Sequence, residues 1–179
     1  MEKIIQYNLR VTILIFTEGT VLMHGSAKGK TREEIVQQSK KLRILTDPNG
    51  IKNYQGYIPV HNAVEKIKKW KKQGATIFYL SSRRVKSEIE AIGNVLQKYG
   101  FPDSQNLLYR QQGEDYKDVA EKLMPDILIE DDCESIGGEK EMTYTHISDN
   151  AKAKVYSITV KEFSGIDYLP DKLSQLKTH

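Results

Sequence analysis

The feature that most constrains this chain is the run Val11, Thr12, Ile13, Leu14, Ile15 and Phe16, which stops abruptly at Thr17, Glu18, Gly19 and Thr20. The run is short, rich in β-branched and apolar residues, and followed by a glycine. Those properties predict a central strand buried on both faces, as in parallel sheets covered by helices. A small polar loop at the carboxyl end of such a strand is where open α/β sheets place their ligands. The loop at 17–20 is therefore the first candidate site.

The rest of the chain repeats the pattern. Residues 75–80 form a second apolar run, followed by Ser81, Ser82, Arg83 and Arg84. A short third strand is expected at 106–110, and a fourth at 127–130 runs into Asp131, Asp132, Cys133 and Glu134. Residues 153–160 offer a fifth, with a short ribbon at 144–147 before it. Between them lie helical stripes: Val60, Val64, Ile67 and Trp70, closed by Gly74; Val85, Ile89, Ile92, Leu96 and Tyr99, ended by Gly100 and Pro102; and Tyr116, Val119, Ala120 and Leu123 before Pro125. Thr31 with Glu34, and Asn62 with Glu65, have the spacing of capping boxes.

Strands alternating with amphipathic helices predict right-handed crossovers and a three-layer, Rossmann-like α/β fold with a mostly parallel five-stranded sheet. Residues 24–59 show no evident strand. They carry a glycine-punctuated loop, a helix with a weak face (Ile35, Ser39, Leu42) and a turn signal at Asp47, Pro48, Asn49 and Gly50. This segment reads as a small helical insert over the sheet edge. Without repeats or linkers, residues 1–179 read as a single domain.

Composition narrows the function. A chain of 179 residues buries a core without metal or disulfide staples. A net charge of +3 is too small to argue for nucleic acid. Lys66, Lys68, Lys69, Lys71 and Lys72 around Trp70 read more simply as a solvated helix face. Cys133 is the one cysteine, which points to a reducing, cytoplasmic setting and an inert thiol. The first residues lack a signal-peptide pattern, and no apolar run approaches the roughly 18 residues that cross a bilayer. A homo-oligomer is compatible with all of this.

Three strand ends carry polar clusters, and a parallel sheet aligns them along one edge: Thr17–Thr20, Ser81–Arg83 and Glu130–Asp132. Lys117, near the start of the helix before the fourth strand, is a further contributor. Hydroxyls, a lysine and an arginine suit a phosphate. Adjacent carboxylates repel one another unless a cation lies among them, and they suit a hard cation such as Mg²⁺. Glu18, Glu130, Asp131 and Asp132 are the candidate metal ligands. Thr17, Gly19, Thr20, Ser81, Ser82, Arg83 and Lys117 are the candidate phosphate contacts. Blander roles stay open: Thr20 bonding local backbone, Ser81 or Ser82 capping the next helix, His24 at the surface, and Ser135 to Gly138 as a simple turn.

In this order the parts resemble the haloacid dehalogenase (HAD) superfamily of phosphohydrolases over most of the chain. That family has an aspartate-rich loop after strand one, a Ser or Thr after strand two, a Lys before strand four and an acidic pair after it. Ser81, Lys117 and Glu130-Asp131 (or Asp131-Asp132) fall on the last three. The first loop departs from the pattern. Where the family has Asp-x-Asp-x-Thr, this chain has Phe16, Thr17, Glu18, Gly19 and Thr20. The resemblance implies that the first aspartate attacks phosphorus and the second moves protons. Phe16 closes that covalent route, whereas Glu18 retains a carboxylate one methylene longer. The expectation is a HAD-like, phosphatase-like protein that binds a phosphorylated small molecule, with or without Mg²⁺, and forms no aspartyl-phosphate. Two rivals stand beside it: a hydrolase that uses a metal-held water with Glu18, and a protein-interaction scaffold with a vestigial pocket.

Overall fold

The computed structural model describes residues 10–45 and 53–178. The turn read at 47–50 and the Leu42 side chain fall outside what it describes. In chain order the strands are β1 (Thr12–Phe16), β2 (Leu22–His24), β3 (Tyr57–Pro59), β4 (Thr76–Ser81), β5 (Leu107–Tyr109), β6 (Ile127–Asp131) and β7 (Tyr156–Val160). The helices are α1 (Arg32–Leu45), α2 (Ala63–Lys72), α3 (Lys86–Lys98), α4 (Tyr116–Leu123) and the short α5 (Thr143–His146) and α6 (Asp149–Lys152).

Five strands form one parallel sheet in the order β5-β4-β1-β6-β7. The chain fills one side of β1 with β4 and β5, then crosses to the other side for β6 and β7. The order thus reverses at β1. The carboxyl ends of β1, β4 and β6 meet at the switch point, where an open sheet leaves a crevice.

Alternate residues of each strand feed opposite layers. Ile13, Ile15, Ile77, Tyr79, Ile127 and Ile129 pack in one core with Ile67 and Trp70 of α2 and Ile92 and Leu96 of α3. Leu14, Leu80 and Leu128 face the other way, onto Val119 and Ala120 of α4 and Ile147 and Ala151. This is the expected three-layer arrangement, with helices on both faces.

Several local readings change. Residues 22–24 and 57–59 pair as an antiparallel ribbon, Leu22 opposite Pro59 and His24 opposite Tyr57, at either end of the segment read as strandless. The ribbon expected at 144–147 is instead α5, because the Glu130 carboxylate accepts the Thr143 and Tyr144 amides at 2.7 and 2.8 Å and fixes a helical turn. The Thr31–Glu34 capping box forms, but that of Asn62 and Glu65 does not. Asn62 turns to Asp167, and Glu65 pairs with Lys68. Val85 precedes α3 and is exposed rather than part of its buried stripe. Lys66 is no solvated lysine. It is buried and donates to the Leu169 carbonyl and to Asp171, while Trp70 Nε1 donates to the Pro170 carbonyl, so α2 clamps the segment after β7.

Candidate functional site

The switch-point crevice is a cavity of about 880 Å³. Phe16, Glu18 and Gly19 line it from the end of β1, Ser82 and Arg83 from β4, Asp131 and Cys133 from β6, and His24, Tyr54 and Tyr57 from the 24–59 segment.

Its β1/β4 side is organised on one carboxylate. Glu18 Oε1 accepts the Ser81 hydroxyl at 2.7 Å, and its Oε2 accepts the Thr17 hydroxyl at 2.5 Å and the Ser82 amide at 3.1 Å. Arg83 Nε lies 3.4 Å from Oε1. The Arg83 guanidinium also donates to the Tyr54 hydroxyl at 2.5 Å and stacks 4.9 Å above that ring. Burial pulls the Arg83 guanidinium toward losing its proton, but Glu18, Tyr54 and Tyr57 more than reverse this. Burial pushes the Tyr57 phenol upward, with Glu18 adding to it. The sequence-predicted Thr17, Glu18, Ser81, Ser82 and Arg83 therefore come together. Thr20 does not join them; its hydroxyl donates to Asp131 Oδ2 at 2.9 Å. Gly19 (φ +88°) lets the loop turn, and a Cβ there would lie 2.6 Å from that same Asp131 oxygen.

The β6/β7 side is acidic. Asp131, Asp132 and Glu162 bring carboxylate oxygens within 4.8 Å of one another. Asp131 accepts from Thr20 and the Cys133 amide, Glu162 accepts the Ser135 hydroxyl and amide, and Asp132 accepts the Glu162 amide. Burial, and then Glu162, push the Asp131 carboxyl up to about 7. Burial also raises Glu162 and Glu130. Glu130, expected as a metal ligand, has both oxygens engaged in capping α5. The Gly137 and Gly138 amides close a turn onto the Cys133 carbonyl. Burial and the neighbouring acids push the Cys133 thiol far above its ordinary range.

The structure also rearranges the cations. Lys117 is exposed on α4 and does not line the cavity, because Tyr116 takes the inward position. Arg110, directly after β5, lines it instead. Its guanidinium lies 3.7 Å over the Tyr116 ring, and Phe16 meets the same ring edge-on at 5.0 Å. The buried Arg110 Nε has no hydrogen-bond partner among the described residues. Burial and then nearby Arg84 and Arg83 pull this guanidinium down from its ordinary value, against Tyr116 and Asp115. Neither Arg110 nor Glu162 was singled out from the sequence. The available signal was position: each follows the carboxyl end of a sheet strand within two residues.

Two solved structures share this architecture. A class C acid phosphatase from Bacillus anthracis, with tungstate bound, superposes with a TM-score of 0.51 at 15% identity over 87% of this chain and 68% of its own. A chain of the Pnkp1/Rnl/Hen1 complex gives 0.52 at 16% identity over 86% of this chain and 47% of its own. The chain thus shares with these structures a mostly parallel, Rossmann-like α/β fold. No protein-family model matches it, and no curated protein does.

Proposed function

We propose that the cavity binds a phosphorylated small molecule and does so without an aspartyl-phosphate. One observation carries this reading. A hydroxyl, a backbone amide and a guanidinium at the carboxyl end of β4 converge on a single carboxylate. Donors arranged for a carboxylate also suit phosphate oxygens, and charge-assisted bonds of this kind are the strong ones. A cavity of about 880 Å³ has room for a small ester.

Phe16 supplies no nucleophile. Its ring lies against Tyr116, where the resemblance calls for a reacting aspartate. Glu18 is tied to Thr17, Ser81 and Ser82, an arrangement that favours holding over proton transfer. The acidic side fits a hard divalent cation in its donors: three clustered carboxylates, one held near neutrality by burial and repulsion. Asp131, Asp132 and Glu162 would hold Mg²⁺. When bound, it would offset phosphate charge beside the cradle.

Calorimetric titration with inorganic phosphate and tungstate, with and without Mg²⁺, tests the reading. Binding that is lost in Ser81→Ala is expected, and no binding at millimolar ligand overturns it. With p-nitrophenyl phosphate the wild type is expected to show no turnover and Phe16→Asp a gain. Wild-type turnover abolished by Glu18→Gln would replace the binding reading with a hydrolase using activated water.

A further inference from the structure

Glu18 stands where the ligand's anion belongs. Both of its oxygens take up the donors at the end of β4 that a phosphate would use, and its side chain is only 13% exposed. This contact depends on length. An aspartate would fall short by about one C–C bond, roughly 1.5 Å, and leave the Ser81 hydroxyl and the Ser82 amide free. Thr17, from the same loop, adds a third donor to the carboxylate.

We infer that Glu18 is a tethered occupant of the anion cradle and sets which ligands are admitted: dianionic phosphate esters displace it, and monocarboxylates do not. This rests on the phosphate-binding reading above. A tethered group competes at an effective concentration in the millimolar range or higher. A free monocarboxylate offers the same charge to the same donors and gains nothing by exchange. A phosphate dianion brings a second charge and a third oxygen. It also has a second cation to meet, because Arg110 lines the same cavity, its Nη1 3.7 Å from the exposed Asp115 and its buried Nε without a partner among the described residues. The threshold thus follows from charge, and Glu18 acts on selectivity rather than on bond cleavage.

The test is calorimetric titration of the full chain with inorganic phosphate and, separately, acetate at fixed ionic strength. Wild type is compared with Glu18→Gln, Glu18→Asp and Glu18→Ala, each checked for cooperative thermal unfolding. Wild type is expected to bind phosphate and not acetate. Glu18→Gln is expected to bind phosphate at least about tenfold more tightly, since it lacks the competing charge. Glu18→Ala should gain more because it vacates the cradle, and both should acquire acetate binding. Phosphate bound equally or more weakly by Glu18→Ala than by wild type overturns the inference. Acetate binding in the variants with no phosphate binding in any protein removes the phosphate reading but keeps Glu18 as the occupant. No binding of either anion by any protein overturns both.

Discussion

The two sides of the cavity handle buried charge in opposite ways. On the β1/β4 side one carboxylate meets a guanidinium, two hydroxyls and a backbone amide. On the β6/β7 side three carboxylates meet one another and share mainly neutral donors. Buried charge is tolerated when paired and costly when not. The first side is therefore balanced within the chain, whereas the second has a deficit of positive charge among the described residues, because Arg32, which feels Asp132, is paired with Glu134. Gly19 joins them: its amide donates to the Leu22 carbonyl, and its missing side chain makes room for Asp131.

The deficit should show first in pH dependence. In the metal-free chain Asp131 holds its proton up to about pH 7. An unfolded aspartate releases it near pH 4. Between those values the folded state binds the extra proton, so this contribution is complete below about pH 4 and is lost as pH rises to about 7. Glu130 and Glu162 are raised as well and act in the same direction. Urea titrations across this window should show stability falling with pH, with Asp131 responsible for on the order of 4 kcal/mol. Asp131→Asn should flatten the slope, and Mg²⁺ should recover stability at pH 8. A profile rising from pH 5 to 8 would remove the contrast between the two sides.

Gly19→Ala strikes the junction. A left-handed backbone costs a non-glycine residue about 1–3 kcal/mol, and the new Cβ would meet an Asp131 oxygen at 2.6 Å. A loss of about 3 kcal/mol in chemical denaturation is expected. It should shrink in Gly19→Ala with Asp131→Ala, which deletes the carboxylate in the way.

How much of this was legible in the sequence depends on whether the signal was local. The strands at 12–16, 76–81 and 127–131 are continuous apolar runs, and burial on both faces leaves that mark on composition. The β2/β3 ribbon is three residues per strand with a proline at one end, too short for any period to emerge. Helix α5 is set by Glu130, thirteen residues before its first residue, so no local pattern announced it. Among site residues, Glu18, Ser81, Ser82 and Arg83 lie at strand ends in clusters and were readable. Arg110 and Glu162 are single charges in loops, indistinguishable from solvated residues until the strand order is known. Lys117 and Tyr116 differ by one position, and only the packing of α4 decides which faces the cavity.

On the balanced side, Arg83→Met should cost about 2 kcal/mol, because it takes the counter-charge from a mostly buried carboxylate and one of two hydrogen-bond partners from the Tyr54 hydroxyl. Partial burial keeps this below the cost of breaking a fully buried pair. Combined with Glu18→Gln, the loss should fall below the sum of the two single losses by about 1 kcal/mol. A sum that is simply additive would mean that Arg83 is held by Tyr54 and Ser82 alone.

Arg110→Met gives the smallest stability effect and separates stability from binding most sharply. The substitution removes the cation–π attraction to Tyr116, about 0.5–1 kcal/mol, and a 3.7 Å pairing with the exposed Asp115 that adds little. Against that, the substitution relieves a desolvated donor and the repulsion from Arg83 and Arg84, and methionine retains the contact with the ring. The two sides should cancel to within about 0.5 kcal/mol. Phosphate affinity should nevertheless fall about tenfold, the scale of one charge-assisted contact. A group that costs its own fold nothing to lose, yet weakens the ligand when lost, is held for the ligand. Large destabilisation with unchanged phosphate affinity would instead make Arg110 a brace for Tyr116, and Arg83 would be the one cavity arginine that serves the anion.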